Sequence, residues 1–190
     1  MKKTLLALLL LTGLYSYGQG ITAGLKGGVN ISNFTGGDFD DVKKKALIGF
    51  HAGGYLNFAL GGFSVQPELL VSTAGAKFEN AGESENYKLT YITVPVMARF
   101  KSAGGFYVEA GPQVGFKISE DVGNETINDF AKGLDLSLGA GLGFQAGSLG
   151  IGARYLAGLS KVGDFDAGDI DPDFKNGIIQ VGISFRLGGK

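Results

Sequence analysis

The chain has 190 residues, long enough for one domain and hardly for two. Charge is balanced at net −1 and cysteine is absent, which removes the electrostatic footprint of a nucleic-acid binder and excludes disulfides, thiolate metal sites, a catalytic thiol and an acylated cysteine. Glycine occurs 34 times without a Gly-X-Y period, and an apolar share of 44% is too high for a disordered low-complexity chain.

The first predicted element is an export signal over residues 1–18. Lys2 and Lys3 form a charged start, Leu5 to Leu11 an unbroken apolar core, and Ser16-Tyr17-Gly18 a small-x-small cleavage site. The mature chain is therefore expected to begin near Gln19 and to form one domain over residues 19–190. The apolar run falls short of the ~20 residues that cross a bilayer as a helix. No later segment approaches that length, so any membrane span must be built from strands.

From residue 21 onward apolar residues recur at every second position, the period of a strand whose faces meet different media. Leu134, Leu136, Leu138, Ala140, Leu142, Phe144 and Ala146 share one face, while Asp135, Ser137, Gly139, Gly141, Gly143 and Gln145 share the other. The same reading predicts about eight strands, near Ile21–Asn33, Leu47–Leu60, Phe63–Lys77, Leu89–Lys101, Phe106–Ile118, Leu134–Ala146, Leu149–Leu159 and Gly177–Leu187. Tight turns at Gly61-Gly62, Ser102 to Gly105 and Gly147-Ser148 alternate with long polar connections at Thr35–Ala46, Phe78–Lys88, Ser119–Gly133 and Ser160–Asn176. That alternation is the plan of an all-β, eight-stranded, antiparallel up-and-down transmembrane barrel in the outer membrane of a bacterial envelope, with short turns and both termini on the periplasmic rim.

Phe58, Phe63, Phe100, Phe106, Phe144 and Phe185 lie beside short turns or the C-terminus on the apolar face, an expected aromatic girdle at one membrane interface. The opposite face is read as small and charged, with many glycines that let a narrow barrel coil tightly. Among them stand Lys26, Glu68, Arg99, Glu109, Lys117, Asp135, Arg154 and Arg186, expected to interlock as ion pairs that close the lumen. A soluble lipocalin-like carrier would reverse this arrangement, with bulky apolar residues inside and charges outside.

Several stretches resemble the PorT-like, porin-family outer-membrane β-barrels: Gly24-Leu25-Lys26-Gly27-Gly28-Val29-Asn30, Gln66-Pro67-Glu68-Leu69-Leu70 followed by Ser72 and Gly75, Tyr91-Ile92-Thr93-Val94-Pro95-Val96, and Glu109-Ala110-Gly111-Pro112. The closing strand is similar to an assembly signal, with Gln180, Gly182, Phe185 and Leu187 at the expected spacing, although Gly188-Gly189-Lys190 follows. The resemblance implies fold and location and the barrel assembly machinery as a partner during biogenesis. It implies no activity.

Candidate chemistry is sparse. His51 is the only histidine and would face the lumen, where a hydrogen-bonded structural ring is preferred to a general base because no distinctive Ser or Asp signature accompanies it. Asp164, Asp166 and Asp169, with Asp171 and Asp173, could offer oxygen donors to Ca²⁺, but Pro172 interrupts the run and no bidentate Glu closes it, so a solvated acidic loop is preferred. Lys43-Lys44-Lys45 is a solvated run or a contact to lipopolysaccharide. Gly139-x-Gly141-x-Gly143 lies on one strand face and opens no helix, which excludes a nucleotide loop. Phe165 and Phe174 are exposed-type rings in the same acidic loop and make it a binding candidate, the alternative being that both fold back to cap the barrel mouth. The expected function is therefore non-enzymatic, structural or loop-mediated, with no cofactor. Outer-membrane lipids and an envelope or extracellular protein are the expected partners. A transport or secretion component is the alternative, and a lipid-modifying enzyme the third reading.

Overall fold

A computed structural model describes residues 20–35, 43–80, 83–122, 133–160 and 175–187. The export signal expected over residues 1–18 lies outside the described residues. Eight strands follow in order: β1 (Ile21–Thr35), β2 (Lys43–Leu60), β3 (Phe63–Asn80), β4 (Glu83–Lys101), β5 (Phe106–Val122), β6 (Leu134–Ala146), β7 (Leu149–Gly158) and β8 (Lys175–Leu187). Each pairs antiparallel with its sequence neighbours, and β1 pairs with β8, so the sheet closes on itself without an edge. Closure satisfies the backbone around the whole circumference, which is what lets strands cross a bilayer.

Three turns make the tight rim. Gly61, Gly105 and Gly147 take φ of 70°, 92° and 58°, left-handed values that favour glycine. Rungs traced once round the wall, from Ile21 through Phe58, Val65, Ala98, Ala110, Ala140, Tyr155 and Ile179, return to β1 at Ile31 rather than Ile21. The strands are therefore sheared, and a closed sheared sheet tilts about 35–45° from its axis.

Alternation holds along the wall. In β6, Leu134, Leu136, Leu138, Ala140 and Leu142 are exposed, while Asp135, Ser137, Gly139 and Gly143 are buried. Exposed Val, Leu, Ile and Phe side chains continue this outer surface on every strand. Water would not tolerate so continuous an apolar belt. Lipid does.

The strands β2 to β5 run further than hydrophobic alternation suggested. Phe78–Lys88, expected as a long polar connection, is mostly paired backbone: Lys77 stands opposite Asn86 and Asn80 opposite Glu83. Alternation reports a strand only where one face meets lipid; beyond that height a ladder continues without it. Two irregularities also break the phase. Between Ala46 and His51 the β2 register slips against β3, where Thr73 Oγ1 accepts from Phe50 N at 2.7 Å. On β5, Thr90 faces Ser119 but Tyr91 faces Lys117, leaving Ile118 as the extra residue of a bulge.

Prolines interrupt the ladder on three successive seams. Pairing lapses where Pro67 would meet Leu56, where Pro95 would meet Glu68, and where Pro112 would meet Val96. Each proline removes one donor from a central strand. Ladders above and below each gap keep the register.

The two faces of β6 should respond differently to substitution. Leu138→Arg places a cation on the lipid-facing row at a cost of about 2–4 kcal/mol, and the refolded barrel should lose its heat-modifiable band on unheated gels. Ser137→Ala, inside the wall, should keep that band with at most a few degrees lost in Tm. Equal behaviour would contradict the assignment of faces.

Candidate functional site

The lumen is packed with side chains, and its centre is ionic. Arg154 on β7 reaches two carboxylates at once. Its Nη2 donates to Glu68 Oε1 at 2.7 Å and Nη1 to Glu68 Oε2 at 3.1 Å, while Nε donates to Glu109 Oε1 at 2.7 Å. Arg99 Nε donates to the other oxygen of Glu109 at 2.6 Å, and Lys26 Nζ lies 3.2 Å from Glu68 Oε2. Gln66 Nε2 adds a bond to Glu68 at 2.9 Å and is itself reached by Asn57. The Arg99 guanidinium also stacks 4.2 Å from the centroid of Tyr107. Glu68, Glu109 and Arg154 are buried, so each charge depends on its partners.

Five of the eight predicted lumen charges thus share one network. The other three do not join it. Lys117 pairs with Glu120 at 2.6 Å, Asp135 accepts from Ser137 at 2.7 Å and from Asn176 at 2.9 Å, and Arg186 donates to the Gly147 carbonyl at the tight rim. Glu120 was hidden in a segment read as loop. The bulge at Ile118 shifts the alternation by one, so that Lys117 and Glu120 can meet inside.

The reading of the inner face as merely small and charged needs correction. Leu70, Leu89, Met97, Leu156 and Ile178 are buried there, together with Tyr55, Tyr91 and Tyr107. Beyond the turning positions, some of the inward glycines are sockets for these side chains, while others, such as Gly53 and Gly111, lie against neighbouring backbone. A Cβ on Gly24 would fall within the Tyr55 ring, and one on Gly143 would strike Tyr107. Gly139 does the same for Leu156 and Met97, whose nearest atoms would lie at 2.9 and 3.3 Å. At the tight rim Phe63, Phe100, Phe106 and Phe185 point outward, Phe58 and Phe144 are half-buried, and Phe106 meets Phe144 edge-on at 4.9 Å.

His51 occupies a second, uncharged cluster. Asn30 Nδ2 donates to Ser72 Oγ at 2.9 Å and to the carbonyl of Thr73 at 2.7 Å, which leaves Asn30 Oδ1 facing His51 Nδ1 at 2.7 Å. The ring therefore donates from Nδ1. Its orienting partner is an amide rather than a carboxylate, and among the described residues no hydroxyl or acid is bonded to the other nitrogen. Among the described residues, too, no group of three His, Asp or Glu could hold a metal ion. Asp164, Asp166 and Asp169, with Phe165 and Phe174, lie outside the described residues.

The model of the outer membrane protein beta-barrel domain matches residues 17–164. The chain belongs to that family. It is an outer-membrane barrel, and its apolar belt is the surface that lipid covers. Among solved structures, Ail, the attachment invasion locus protein of Yersinia pestis, in complex with the heparin analogue sucrose octasulfate, aligns at 20% identity and a TM-score of 0.52, covering 89% of this chain and 100% of that one. Neisserial surface protein A aligns at 14% identity and a TM-score of 0.53, again over 89% of this chain and all of the other. At such identities the likeness is one of fold. No curated protein matches the chain.

The network makes an unequal prediction for this barrel. Arg154→Met removes the cation that two buried carboxylates share, leaving Glu68 to Lys26 and Glu109 to Arg99, and should cost about 3–5 kcal/mol. Lys26→Met, at the more accessible end, should cost markedly less. Urea midpoints of the refolded barrel in detergent check this, and equal midpoints for the two variants would show that Arg154 is not the bridge.

Proposed function

We propose that this protein is a non-enzymatic outer-membrane barrel of PorT-like kinship that serves as a sealed mount for its external loops. The single observation that carries the reading is the buried chain of ion pairs from Lys26 through Glu68, Arg154 and Glu109 to Arg99. A transport path would have to break it. An enzyme would need a nucleophile and base, and His51 is held by an amide. Residues 1–18 are removed on export, both termini lie in the periplasm, and the barrel assembly machinery recognises the closing strand. Function then falls to the connections opposite the tight turns, because loops vary at little structural cost while the strands hold them in place.

Charge points to the kind of partner. The segment Ser160–Asn176 carries Asp164, Asp166, Asp169, Asp171 and Asp173 beside Phe165 and Phe174. An acidic, ring-bearing loop suits a basic and partly apolar protein surface in the envelope or outside the cell. It is the wrong charge for a polyanion of the kind bound to Ail.

Two measurements test this. Planar-bilayer recordings should show no large, steady conductance, and a stable porin-sized current would favour the transport reading. Replacing Ser160–Asn176 by a short Gly-containing turn should leave a heat-modifiable barrel that no longer captures an envelope or extracellular protein. Undiminished capture would remove this loop from the function.

A further inference from the structure

We propose that the wall is built to yield along one line in the sector β2–β5, and that Arg154 is the tie that holds this line shut. Missing rungs draw the line. Pairing fails between Leu56-Asn57 and Gln66-Pro67, between Glu68-Leu69 and Val94-Pro95, and between Val96-Met97 and Gly111-Pro112. The three gaps adjoin, because on β3 and again on β4 the residues of one gap are followed directly by those of the next. They make one oblique seam across four strands. The pairs β1–β2, β5–β6, β6–β7, β7–β8 and β1–β8 run without a missing rung over their paired lengths.

The seam lies within the apolar belt, where Leu69 and Val96 face outward from the gaps themselves. Lipid offers no donor to a main-chain carbonyl that faces a proline, so the sheet holds less strongly here than on the unbroken ladders. Side chains span what the backbone leaves open. Asn57 Nδ2 donates to Gln66 Oε1 at 3.2 Å across the first gap, and Gln66 Nε2 donates onward to Glu68 Oε1 at 2.9 Å. Beside the third gap, Arg99 Nε donates to Glu109 Oε2 at 2.6 Å.

These bonds stay inside the interrupted sector. Arg154 comes from the unbroken wall on β7 and reaches Glu68 on β3 and Glu109 on β5 at once, so one guanidinium spans the second and third gaps and holds β4 between its neighbours. Lys26 also comes from the unbroken wall, on β1, but reaches Glu68 alone. Loss of Arg154 therefore frees these two gaps to part while continuous ladders keep the rest of the barrel closed. Opening of this kind is local, because its free energy follows the hydrogen bonding of the segment rather than that of the whole fold. The sealed lumen thus has one preset place at which it opens toward lipid.

Amide hydrogen exchange of the full refolded barrel in detergent, read by NMR well below the unfolding midpoint, tests this. Arg154→Met should speed exchange at residues 68–71 and 93–97 by roughly tenfold, while residues 179–183 stay within about twofold. The comparison is selective, because β8 pairs with Arg154 directly and a merely local support would disturb it first. Pro112→Val returns a donor opposite Val96 and should slow exchange at residues 94–97. In the double variant it should offset part of the Arg154→Met effect. Acceleration spread evenly round the barrel in Arg154→Met, or unchanged exchange at residues 94–97 in Pro112→Val, would overturn the proposal. Should Arg154→Met fail to fold, the Pro112→Val result alone decides.

Discussion

Arg154 is the residue on which the interior of this barrel turns. One guanidinium spends three of its nitrogens on two carboxylates, and the carboxylates come from β3 and β5, far away in the chain. A planar fork with fixed donor directions is suited to such bidentate service in a way that an ammonium is not. Glu68 and Glu109 in turn gather Lys26 and Arg99. The geometry is met only when four seams between β3 and β7 have their observed register. The network therefore selects one closure of the sheet among the slips that a barrel wall with a two-residue period would otherwise permit.

Packing around that centre follows from the narrowness of an eight-stranded ring. Tyr55, Tyr107, Leu156 and Met97 are too large for the lumen unless facing positions carry no side chain, and Gly24, Gly143 and Gly139 provide those positions. The glycine richness of the chain is thus as much a matter of interior volume as of backbone freedom. The three prolines act in the other direction. Each deletes a rung between neighbouring strands from β2 to β5, so that sector relies on its side chains more than the remainder of the wall does.

Much of this was legible in the sequence because lipid and lumen impose opposite demands on alternate residues. Leu134 to Ala146 show it plainly, and the strand bounds there coincide with the structure. Two kinds of feature were not legible. A bulge adds one residue without altering composition, so the shift at Ile118 concealed Glu120 as the partner of Lys117. Inward Leu70, Met97 and Leu156 carry the same apolar signature as lipid-facing residues, and only phase separates them. Ion pairing was readable as a need, but not as a choice of partners: Arg154 and Glu68 stand 86 residues apart, and shear decides that they meet. The acidic cluster near Asp164 rests on sequence alone.

In the function proposed above, the interlocked centre leaves binding to the rim. Coupling between Arg154 and Glu109 is where this account is most exposed. A double-mutant cycle of Arg154→Met and Glu109→Gln, read by urea unfolding of the refolded barrel, measures it directly. The account predicts strong non-additivity, with a coupling energy of about 1–3 kcal/mol. Additive losses would mean that the two side chains are neighbours without being partners, and that something other than this network holds the lumen closed.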